Sequence, residues 1–248
     1  TVLKRLTEDG FPVHPHSKAA SMILAESGDI ASHPLFTEGV VTIQDTASAI
    51  CVELLDPQPG TLVLDCCAAP GRKTFYIAER MRNHGTVISC DIYEHKLEKI
   101  QAGAQRLGLS IVQPTLQDAA QPRAEWVGKA DSVLCDVPCS GMGIIRKKPE
   151  IRYKDADEIQ NLPEIQKKIL ENCANYVKPG GTLVYSTCTI LERENQAVVQ
   201  EFLQQHPEFE AVPIEHPVFG TSENGVITLL PSIHDTDGFF IAKLRRLT

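Results

Sequence analysis

The chain has 248 residues, of which 42% are hydrophobic and 23% charged, and this ordinary globular composition excludes a wholly disordered chain. No apolar run approaches the roughly 20 residues needed to cross a bilayer, and no signal peptide opens the sequence. The net charge of -8 excludes a strongly basic nucleic-acid clamp, so any contact with nucleic acid must be local or supported by a part that is missing here.

From about residue 60 the chain alternates short apolar runs with longer amphipathic ones. The apolar runs predict strands over residues 61–64, 86–89, 111–116, 131–135, 182–186, 226–230 and 239–244. The amphipathic runs predict helices over residues 73–81, 94–107, 164–177 and 193–204. This alternation predicts an α/β fold, a mostly parallel sheet covered on both faces. No helix separates the last two strands, which predicts an antiparallel hairpin at one edge.

The first 43 residues show no such alternation. We interpret residues 1–43 as a lead-in or the remnant of a preceding subdomain, and residues 44–248 as the main domain. At the start of that domain Asp45 is placed to cap a helix that includes residues 49–55.

Eight cysteines are present, without the paired C-x-x-C spacing that zinc sites use. The chain is too large for a disulfide-stapled secreted fold, so we interpret the thiols as reduced and the protein as cytoplasmic. The histidines lack metal spacing, and no metal is expected.

Residues 65–74 (DCCAAPGRKT) follow the first strand of the main domain and open a helix. Small residues at such a turn let the backbone approach a ligand, although every tight strand–helix connection also needs them. The loop is neither G-x-G-x-x-G nor G-x-x-x-x-G-K-[ST]. Dinucleotide and triphosphate binding therefore lose support.

Four acids follow successive predicted strands, namely Asp65, Asp91, Asp118 and Asp136. Any one of them alone is more often a turn former or a cap. Together they would line the crevice at the carboxyl ends of a parallel sheet, where such folds bind ligands. The pattern favours a ligand with ribose hydroxyls and a cationic group, such as S-adenosylmethionine.

Two cysteines, Cys139 and Cys188, follow the fourth and fifth of these strands and would face the same crevice. An isolated cysteine is usually an inert buried thiol. Beside a methyl donor, however, a thiolate can attack carbon 6 of a pyrimidine, and carbon 5 can then take the methyl group. Asp136, three residues before Cys139, is placed to hydrogen bond or donate a proton near ring nitrogen 3.

Four segments carry a specific resemblance: residues 67–73 (CAAPGRK), 136–141 (DVPCSG), 185–189 (YSTCT) and 234–240 (HDTDGFF). With them the chain resembles the RNA cytosine-5 methyltransferases of the Sun/nucleolar-protein family. Residues 44–48 and 146–153 are also similar to family segments, and the likeness runs from about residue 40 to the end. The resemblance implies a class I S-adenosylmethionine-dependent methyltransferase domain (Rossmann-like) over residues 44–248, acting on RNA, in particular 16S ribosomal RNA.

The resemblance also implies residue roles. Cys188 matches the family's nucleophile, Cys139 the cysteine that assists product release, and Asp136 an acid between cofactor and target base. Asp91 matches the acid on the ribose and Asp118 the acid near the adenine. The loop that holds the methionine part of the cofactor comprises Cys67, Ala68, Ala69, Pro70, Gly71, Arg72 and Lys73.

Arg72 stands where the family usually has a second glycine. If that position has a positive φ, arginine costs about 1 kcal/mol or more, and its side chain could crowd the cofactor.

Residues 145–154 hold five basic residues and one acid. Such a run is usually a solvated face. Beside the Cys139 motif it also predicts phosphate contacts by Arg146, Lys147, Lys148 and Arg152. Relatives of the ribosomal RNA enzyme carry a helical RNA-binding domain before the catalytic part. The start at Thr1 and the acidic balance fit a fragment that lacks such a domain.

Two alternatives stay open. A DNA cytosine-5 methyltransferase would use Cys139 as the nucleophile, an assignment that Cys188 argues against. A non-catalytic RNA-binding or ribosome-assembly module with a degenerate cofactor site would explain Arg72. The sequence lacks the Asn/Asp-Pro-Pro-aromatic segment expected of an amino-group methyltransferase.

Overall fold

The computed structural model describes residues 1–17, 22–216 and 219–248. Within these residues the strands are β1 (Val13–Pro15), β2 (Ile23–Ala25), β3 (Leu62–Asp65), β4 (Thr86–Asp91), β5 (Val112–Leu116), β6 (Ala130–Asp136), β7 (Val177–Thr187), β8 (Phe209–Ala211), β9 (Ile214–His216), β10 (Gly220–Ser222), β11 (Val226–Leu229) and β12 (Phe239–Arg246). The α-helices are α1 (Val2–Glu8), α2 (Pro34–Thr37), α3 (Thr46–Leu55), α4 (Arg72–Arg80), α5 (Glu94–Leu107), α6 (Ala156–Gln160), α7 (Leu162–Ala174), α8 (Gln196–Gln205) and α9 (Pro231–His234).

The main sheet has the strand order β11-β12-β7-β6-β3-β4-β5, and β8 pairs with the far half of β12. The strands from β7 to β5 are parallel, whereas β12 runs antiparallel to both β7 and β11. The predicted α/β fold and its antiparallel edge pair are therefore confirmed. The expectation that no helix separates the last two strands is wrong, because the four-residue helix α9 lies between β11 and β12. Strand β3 has β4 on one side and β6 on the other, so the strand order reverses at β3. Open α/β sheets bind their ligands at such a switch point, outside the carboxyl ends of the strands.

Each face of the sheet is covered by its own apolar core. In β3, Val63 packs with buried residues of α3, α4 and α5, while the next residue, Leu64, packs with α7 and α8 on the other face. This alternation follows from the two-residue period of a strand. The neighbouring strands are buried on both faces, which explains their nearly continuous apolar runs.

Helix α3 begins where its cap predicts. The Asp45 carboxylate accepts hydrogen bonds from the backbone N–H groups of Ala47 (2.9 Å) and Ser48 (3.3 Å). These bonds satisfy two of the amides that the first helical turn leaves without partners.

Two predicted helix boundaries are wrong. The helix predicted over residues 164–177 ends at Ala174, and Val177 instead begins β7, fully buried and paired with Ala130. The helix predicted over residues 193–204 is interrupted. A 3-10 turn (Glu192–Glu194) precedes α8, and Asn195 lies between them.

Residues 1–43 contain regular structure that the sequence did not predict. They include α1, α2 and the antiparallel pair β1–β2. Arg106 of α5 donates hydrogen bonds to the carbonyl groups of Phe36 (2.5 Å) and Val41 (3.1 Å), which ties this segment to the main domain. Residues 18–21 of the predicted lead-in lie outside the described residues. No helix within the described ranges is long and apolar enough to cross a membrane.

Candidate active site

Two cysteine thiols meet at the carboxyl ends of the neighbouring parallel strands β6 and β7. Cys139 lies three residues after β6, and Cys188 directly follows β7. Their Sγ atoms are 3.2 Å apart, and both residues are half-buried. The structure thus brings together the two cysteines that the sequence places in one crevice.

The two thiols differ in how readily they ionise. The hydrogen bond from Cys139 lowers the pKa of Cys188, and the positive charge of Lys73 lowers it further, against burial and the charge of Asp136. The same contact raises the pKa of Cys139 well above that of an ordinary thiol, and burial adds to the rise. Because the thiolate is the nucleophilic form of a cysteine, the lowered pKa favours Cys188 over Cys139 for nucleophilic attack.

Asp136, the last residue of β6, accepts a hydrogen bond on each of its oxygens. Lys73 Nζ donates to Oδ2 at 2.6 Å, and Ser186 Oγ donates to Oδ1 at 2.8 Å. Although burial opposes the charge of Lys73, Asp136 raises the pKa of the lysine, which therefore stays protonated. Ser186 is a site residue that was not predicted individually from the sequence. The two-residue period of a strand could have identified it, because residues 186 and 188 lie on the same face.

The loop between β3 and α4 turns at Gly71, whose φ is +104°. A Cβ atom at this position would lie 2.6 Å from the ring of Phe75, so both the backbone and the packing require glycine. Arg72 is the first residue of α4, does not have a positive φ, and is exposed. The strain considered for Arg72 is therefore absent, because the left-handed position is the glycine before it.

The rest of this loop lies against the end of β4. The backbone N–H of Ala68 donates to the carbonyl of Cys90 at 2.8 Å. Ala68 is buried, Cys67 and Ala69 are half-buried, and Pro70 is exposed after a cis peptide bond. Small residues therefore line the approach to the ends of β3 and β4.

Three acids lie at the carboxyl ends of the neighbouring strands β3, β4 and β5: Asp65 and Asp91 end their strands, and Asp118 lies two residues after β5. Asp65 is buried; Thr74 Oγ1 donates to its Oδ2 at 2.7 Å, and its buried Oδ1 has no partner among the described residues. Asp91 accepts from the backbone N–H of Tyr93 at 3.0 Å. The exposed Asp118 accepts from the backbone N–H of Ala120 at 2.9 Å. The predicted row of acids at the carboxyl ends of the strands is therefore present.

The four predicted RNA-binding residues fall into two pairs. Lys147 Nζ lies 2.6 Å from a carboxylate oxygen of Asp45 and 2.6 Å from one of Asp237. Arg146 lies 3.4 Å from Asp237. Lys148 and Arg152 are exposed and make no ion pair with any described residue. Asp45 and Asp237 already neutralise the positive charges of Arg146 and Lys147. Lys148 and Arg152 are therefore better placed to bind a phosphate group.

A second group of thiols lies away from this pair. Cys66, Cys135 and Cys173 are buried, with their sulfur atoms within 4.8 Å of one another. All three belong to the apolar core on the α7 side of the sheet, where burial contributes to raising the pKa of Cys135 and of its neighbours. Thiols in such surroundings are inert.

A surface cavity of about 490 Å³ lies at the opposite edge of the sheet. Its lining comes from the amino ends of β3 and β4 and includes Thr61, His84 and Thr86. Ligands of open α/β sheets bind at the carboxyl ends of the strands, so the thiol edge is the better candidate for a functional site.

The site suits a ligand that carries hydroxyl and cationic groups. The unpartnered oxygen of Asp65 and the carboxylate of Asp91 can accept hydrogen bonds from such groups. The turn at Gly71 leaves the backbone of the loop approachable.

Comparison with known proteins gives a family match. The model of the 16S rRNA methyltransferase RsmB/F family matches residues 52–245. The probable ribosomal RNA small subunit methyltransferase B of Bacillus subtilis (strain 168) is 40% identical over 252 residues, which cover 99% of this chain and 56% of the relative. The ribosomal RNA small subunit methyltransferase B of Vibrio cholerae is 37% identical, with 97% and 54% covered. The chain spans about half the length of the curated relatives it matches.

Solved structures show the same fold. A methyltransferase homolog protein from Pyrococcus horikoshii has a TM-score of 0.84 and 33% identity, covering 99% of this chain and 82% of the other. NSun6 from Pyrococcus horikoshii, determined with SFG, has a TM-score of 0.78 and 28% identity, covering 91% and 59%. The predicted Rossmann-like methyltransferase architecture is therefore confirmed.

Proposed function

The chain belongs to the 16S rRNA methyltransferase RsmB/F family, and we propose that it methylates carbon 5 of a cytosine in RNA, with 16S ribosomal RNA as the substrate. S-Adenosylmethionine, when bound, supplies the methyl group from its sulfonium centre. The observation that carries the proposal is the 3.2 Å contact between the Sγ atoms of Cys188 and Cys139 at the ends of adjacent strands.

Cys188 is the proposed nucleophile. Its thiolate adds to carbon 6 of the cytosine, and the electrons of the 5,6 double bond make carbon 5 nucleophilic. Carbon 5 then takes the methyl group. Loss of the proton on carbon 5 and cleavage of the bond between sulfur and carbon 6 restore the ring and return the thiolate. The lowered pKa of Cys188 supports both the attack and the final departure of the sulfur.

Cys139 is proposed to assist product release. Its raised pKa keeps it a thiol, so it remains a hydrogen-bond donor 3.2 Å from the sulfur that must leave. A donor at this distance stabilises the negative charge that develops on Cys188 as the bond to carbon 6 breaks. Loss of this donor would slow release more than attack.

Asp136 is proposed to select cytosine. Lys73 and Ser186 both donate to its carboxylate, which favours a hydrogen-bond acceptor over a proton donor. The exocyclic amino group of cytosine is a donor, whereas uracil has an acceptor at the same place. This assignment places the hydrogen bond of Asp136 on the amino group next to ring nitrogen 3, whereas the sequence predicts hydrogen bonding or proton donation near that nitrogen.

The cofactor is proposed to lie along the ends of β3, β4 and β5. Asp91 would accept hydrogen bonds from the ribose hydroxyls, Asp118 would lie near the adenine, and the loop over residues 67–73 would hold the methionine part. A neighbour determined with SFG, an analogue of S-adenosylmethionine, supports the same class of cofactor.

Covalent trapping tests the proposal. RNA transcribed from the 16S gene with 5-fluorocytosine is incubated with S-adenosylmethionine and the protein, then run on a denaturing gel. Fluorine on carbon 5 blocks the last elimination, so a shifted band is expected for the protein. Cys188→Ala should abolish the band, whereas Cys139→Ala should retain it and accumulate adduct even on ordinary cytosine.

Cys51→Ala is the matched control. Cys51 is another buried thiol of the same region, 3.4 Å from Ser186 Oγ, and burial raises its pKa to about 12. Its removal should leave trapping intact. A band lost in Cys139→Ala but kept in Cys188→Ala would reverse the assignment and favour the chemistry of DNA cytosine-5 methyltransferases. Absence of any band together with no calorimetric binding of S-adenosylmethionine would favour a non-catalytic module.

A further inference from the structure

Two consecutive residues, Glu194 and Asn195, lie directly beneath the two cysteine loops. Both are fully buried, and they occupy the junction where a 3-10 turn gives way to α8. Their sequence pattern predicts only that they belong to a helix over residues 193–204. A buried carboxylate without a positive partner among its hydrogen-bond donors is costly to keep, so its contacts call for an explanation.

Glu194 holds the loop that carries Cys139. Its Oε2 accepts from the backbone N–H of Ser140 at 2.9 Å and from Gln166 Nε2 at 3.0 Å. The same Gln166 nitrogen donates to the carbonyl of Pro138 at 3.0 Å. The residues immediately before and after Cys139 are therefore fixed by one buried carboxylate and its amide partner.

Asn195 holds the loop that carries Cys188. Its Oδ1 accepts from Thr187 Oγ1 at 2.6 Å, and its Nδ2 donates to the carbonyl of Thr189 at 3.0 Å. The residues immediately before and after Cys188 are thus fixed by a single side chain. A direct bond between Ser140 Oγ and Thr189 Oγ1 at 2.8 Å joins the two loops.

We propose that Glu194 and Asn195 are positioning residues that hold the thiols of Cys139 and Cys188 in contact. The catalytic importance of this contact rests on the proposed function. The contact itself, however, can be measured without RNA or cofactor. Because neighbouring residues of one turn reach both loops, a shift of either loop must break a buried hydrogen bond. A buried donor or acceptor that loses its partner destabilises the fold, so these bonds hold the two loops in place.

The substitutions can be matched closely. Glu194→Gln keeps an acceptor oxygen for Ser140 and Gln166 and puts its amide nitrogen where Oε1 has no partner. It should preserve the position of the loop, whereas Glu194→Leu and Asn195→Ala remove the bonds. Gln196→Ala is the control from the next position, because the side chain of Gln196 donates its hydrogen bond to Thr228 of β11 at 3.3 Å.

Thiol proximity is read by diamide oxidation followed by peptide mapping. Two thiols lose two hydrogens to form a disulfide, and diamide is reduced to the hydrazine. The Cys139–Cys188 bridge should form at the same rate in the unmodified protein, Glu194→Gln and Gln196→Ala. In Glu194→Leu and Asn195→Ala it should form at least tenfold more slowly. Folding of each variant is checked by near-ultraviolet circular dichroism and thermal midpoint.

If Glu194→Leu or Asn195→Ala does not fold, Thr187→Val takes its place. It is nearly isosteric and removes the 2.6 Å bond to Asn195, together with two longer contacts of 3.4 Å between the Thr187 hydroxyl and the backbone of Thr189. Folded variants that form the bridge at the unmodified rate would overturn the positioning role, as would equal slowing in Glu194→Gln. Trapping on 5-fluorocytosine RNA is run in parallel. No adduct in the unmodified protein would count against the proposed function alone, since the bridge assay needs no substrate.

Discussion

The buried carboxyl group of Asp65 lowers the stability of the folded protein when it is charged. Burial raises its pKa to about 7, against the hydrogen bond from Thr74 and the positive charge of Lys73, which both lower it. One of its oxygens is buried and has no partner among the residues described. At neutral pH the group therefore costs stability while it offers an acceptor to a ligand at the end of β3.

Asp65→Asn is expected to stabilise the ligand-free protein, and to do so more at pH 8 than at pH 5. An acid whose pKa is raised on folding from 3.8 to about 7 binds protons more tightly in the folded state. Folding stability therefore falls as the pH rises through that window, and the asparagine variant escapes the loss. Urea unfolding at the two pH values should show the advantage of the variant growing by on the order of 2 kcal/mol.

Asp118→Asn is the control for this experiment, because it removes an exposed carboxylate from the same row of acids. Its effect on the free energy of unfolding should not change in the same way between pH 5 and pH 8. An Asp65→Asn advantage that is equal at both pH values would contradict the assigned cause, which is burial of the charged form.

Single residues differ in how far the sequence alone could place them. Asp65 and Asp136 were predicted at strand ends because apolar runs mark strands and polar residues end them. The Lys73–Asp136 ion pair joins residues 63 positions apart and follows only from the order of the strands. Nothing in the local pattern distinguishes Glu194 from a surface glutamate, since its burial depends on the loop that covers it.

At the scale of elements, Gly143 and Gly238 approach each other closely. Their contact connects the Cys139 loop, the Cys188 loop and the connection between β11 and β12. The backbone N–H of Gly143 donates to the carbonyl of Cys188 at 3.0 Å, and that of Gly238 donates to the carbonyl of Gly143 at 2.8 Å. A Cβ at Gly143 would lie 1.9 Å from the carbonyl oxygen of Gly238 and 2.8 Å from that of Cys188. The 3-10 turn after Cys139 (Met142–Ile144) therefore packs backbone to backbone against the Cys188 loop.

Gly143→Ala is expected to lower the rate of covalent trapping at least tenfold and to destabilise the fold by about 1–3 kcal/mol, the usual cost of overpacking. The added methyl group meets only backbone atoms, so the Cys188 carbonyl and the β11–β12 connection must shift. Trapping rates on 5-fluorocytosine RNA and urea unfolding measure the two effects.

Gly128→Ala separates the loss of trapping from the loss of stability. Gly128 has a φ of +65° and no atom within 4 Å of a built Cβ, so alanine there costs roughly 1 kcal/mol of backbone strain away from the site. Trapping should persist in this variant. Unimpaired trapping by Gly143→Ala would show that the glycine contact does not position Cys188.

The elements that the sequence placed well are those with strong periodicity. The helix over residues 94–107 was predicted with the bounds of α5, because it has helical spacing throughout and Gly108 ends it in a left-handed conformation. The predicted helix before β7 is too long, because Val177 continues the apolar pattern of the helix. In the structure Val177 belongs to β7 and pairs with Ala130 of β6. The short pairs β1–β2 and β9–β10 carry too few residues for a period to be visible.

For the whole molecule, the net charge of -8 conflicts with an RNA substrate unless basic groups gather at the site. The 3-10 segment Pro149–Tyr153 and the residues before it provide such a group beside the Cys139 loop. Lys154 Nζ donates to the carbonyl of Ser140 at 2.9 Å, which fixes the end of this segment to the loop. Lys148 and Arg152 are left exposed, so phosphate contacts can form close to the thiols.

We therefore predict that Lys148→Ala combined with Arg152→Ala weakens RNA binding and makes it less sensitive to salt. Each phosphate contact to single-stranded nucleic acid contributes about 0.7 to the slope of log K against log salt concentration, so the slope should fall by about 1.4. Fluorescence anisotropy with a labelled single-stranded RNA across a salt series measures the slope. The control is Lys129→Ala, which replaces an exposed lysine at the opposite edge of the sheet and should leave the slope unchanged.

An unchanged slope in the double variant would show that RNA does not contact Lys148 and Arg152. A reduced slope with normal trapping at low salt would indicate that these residues guide the substrate without taking part in the methyl transfer.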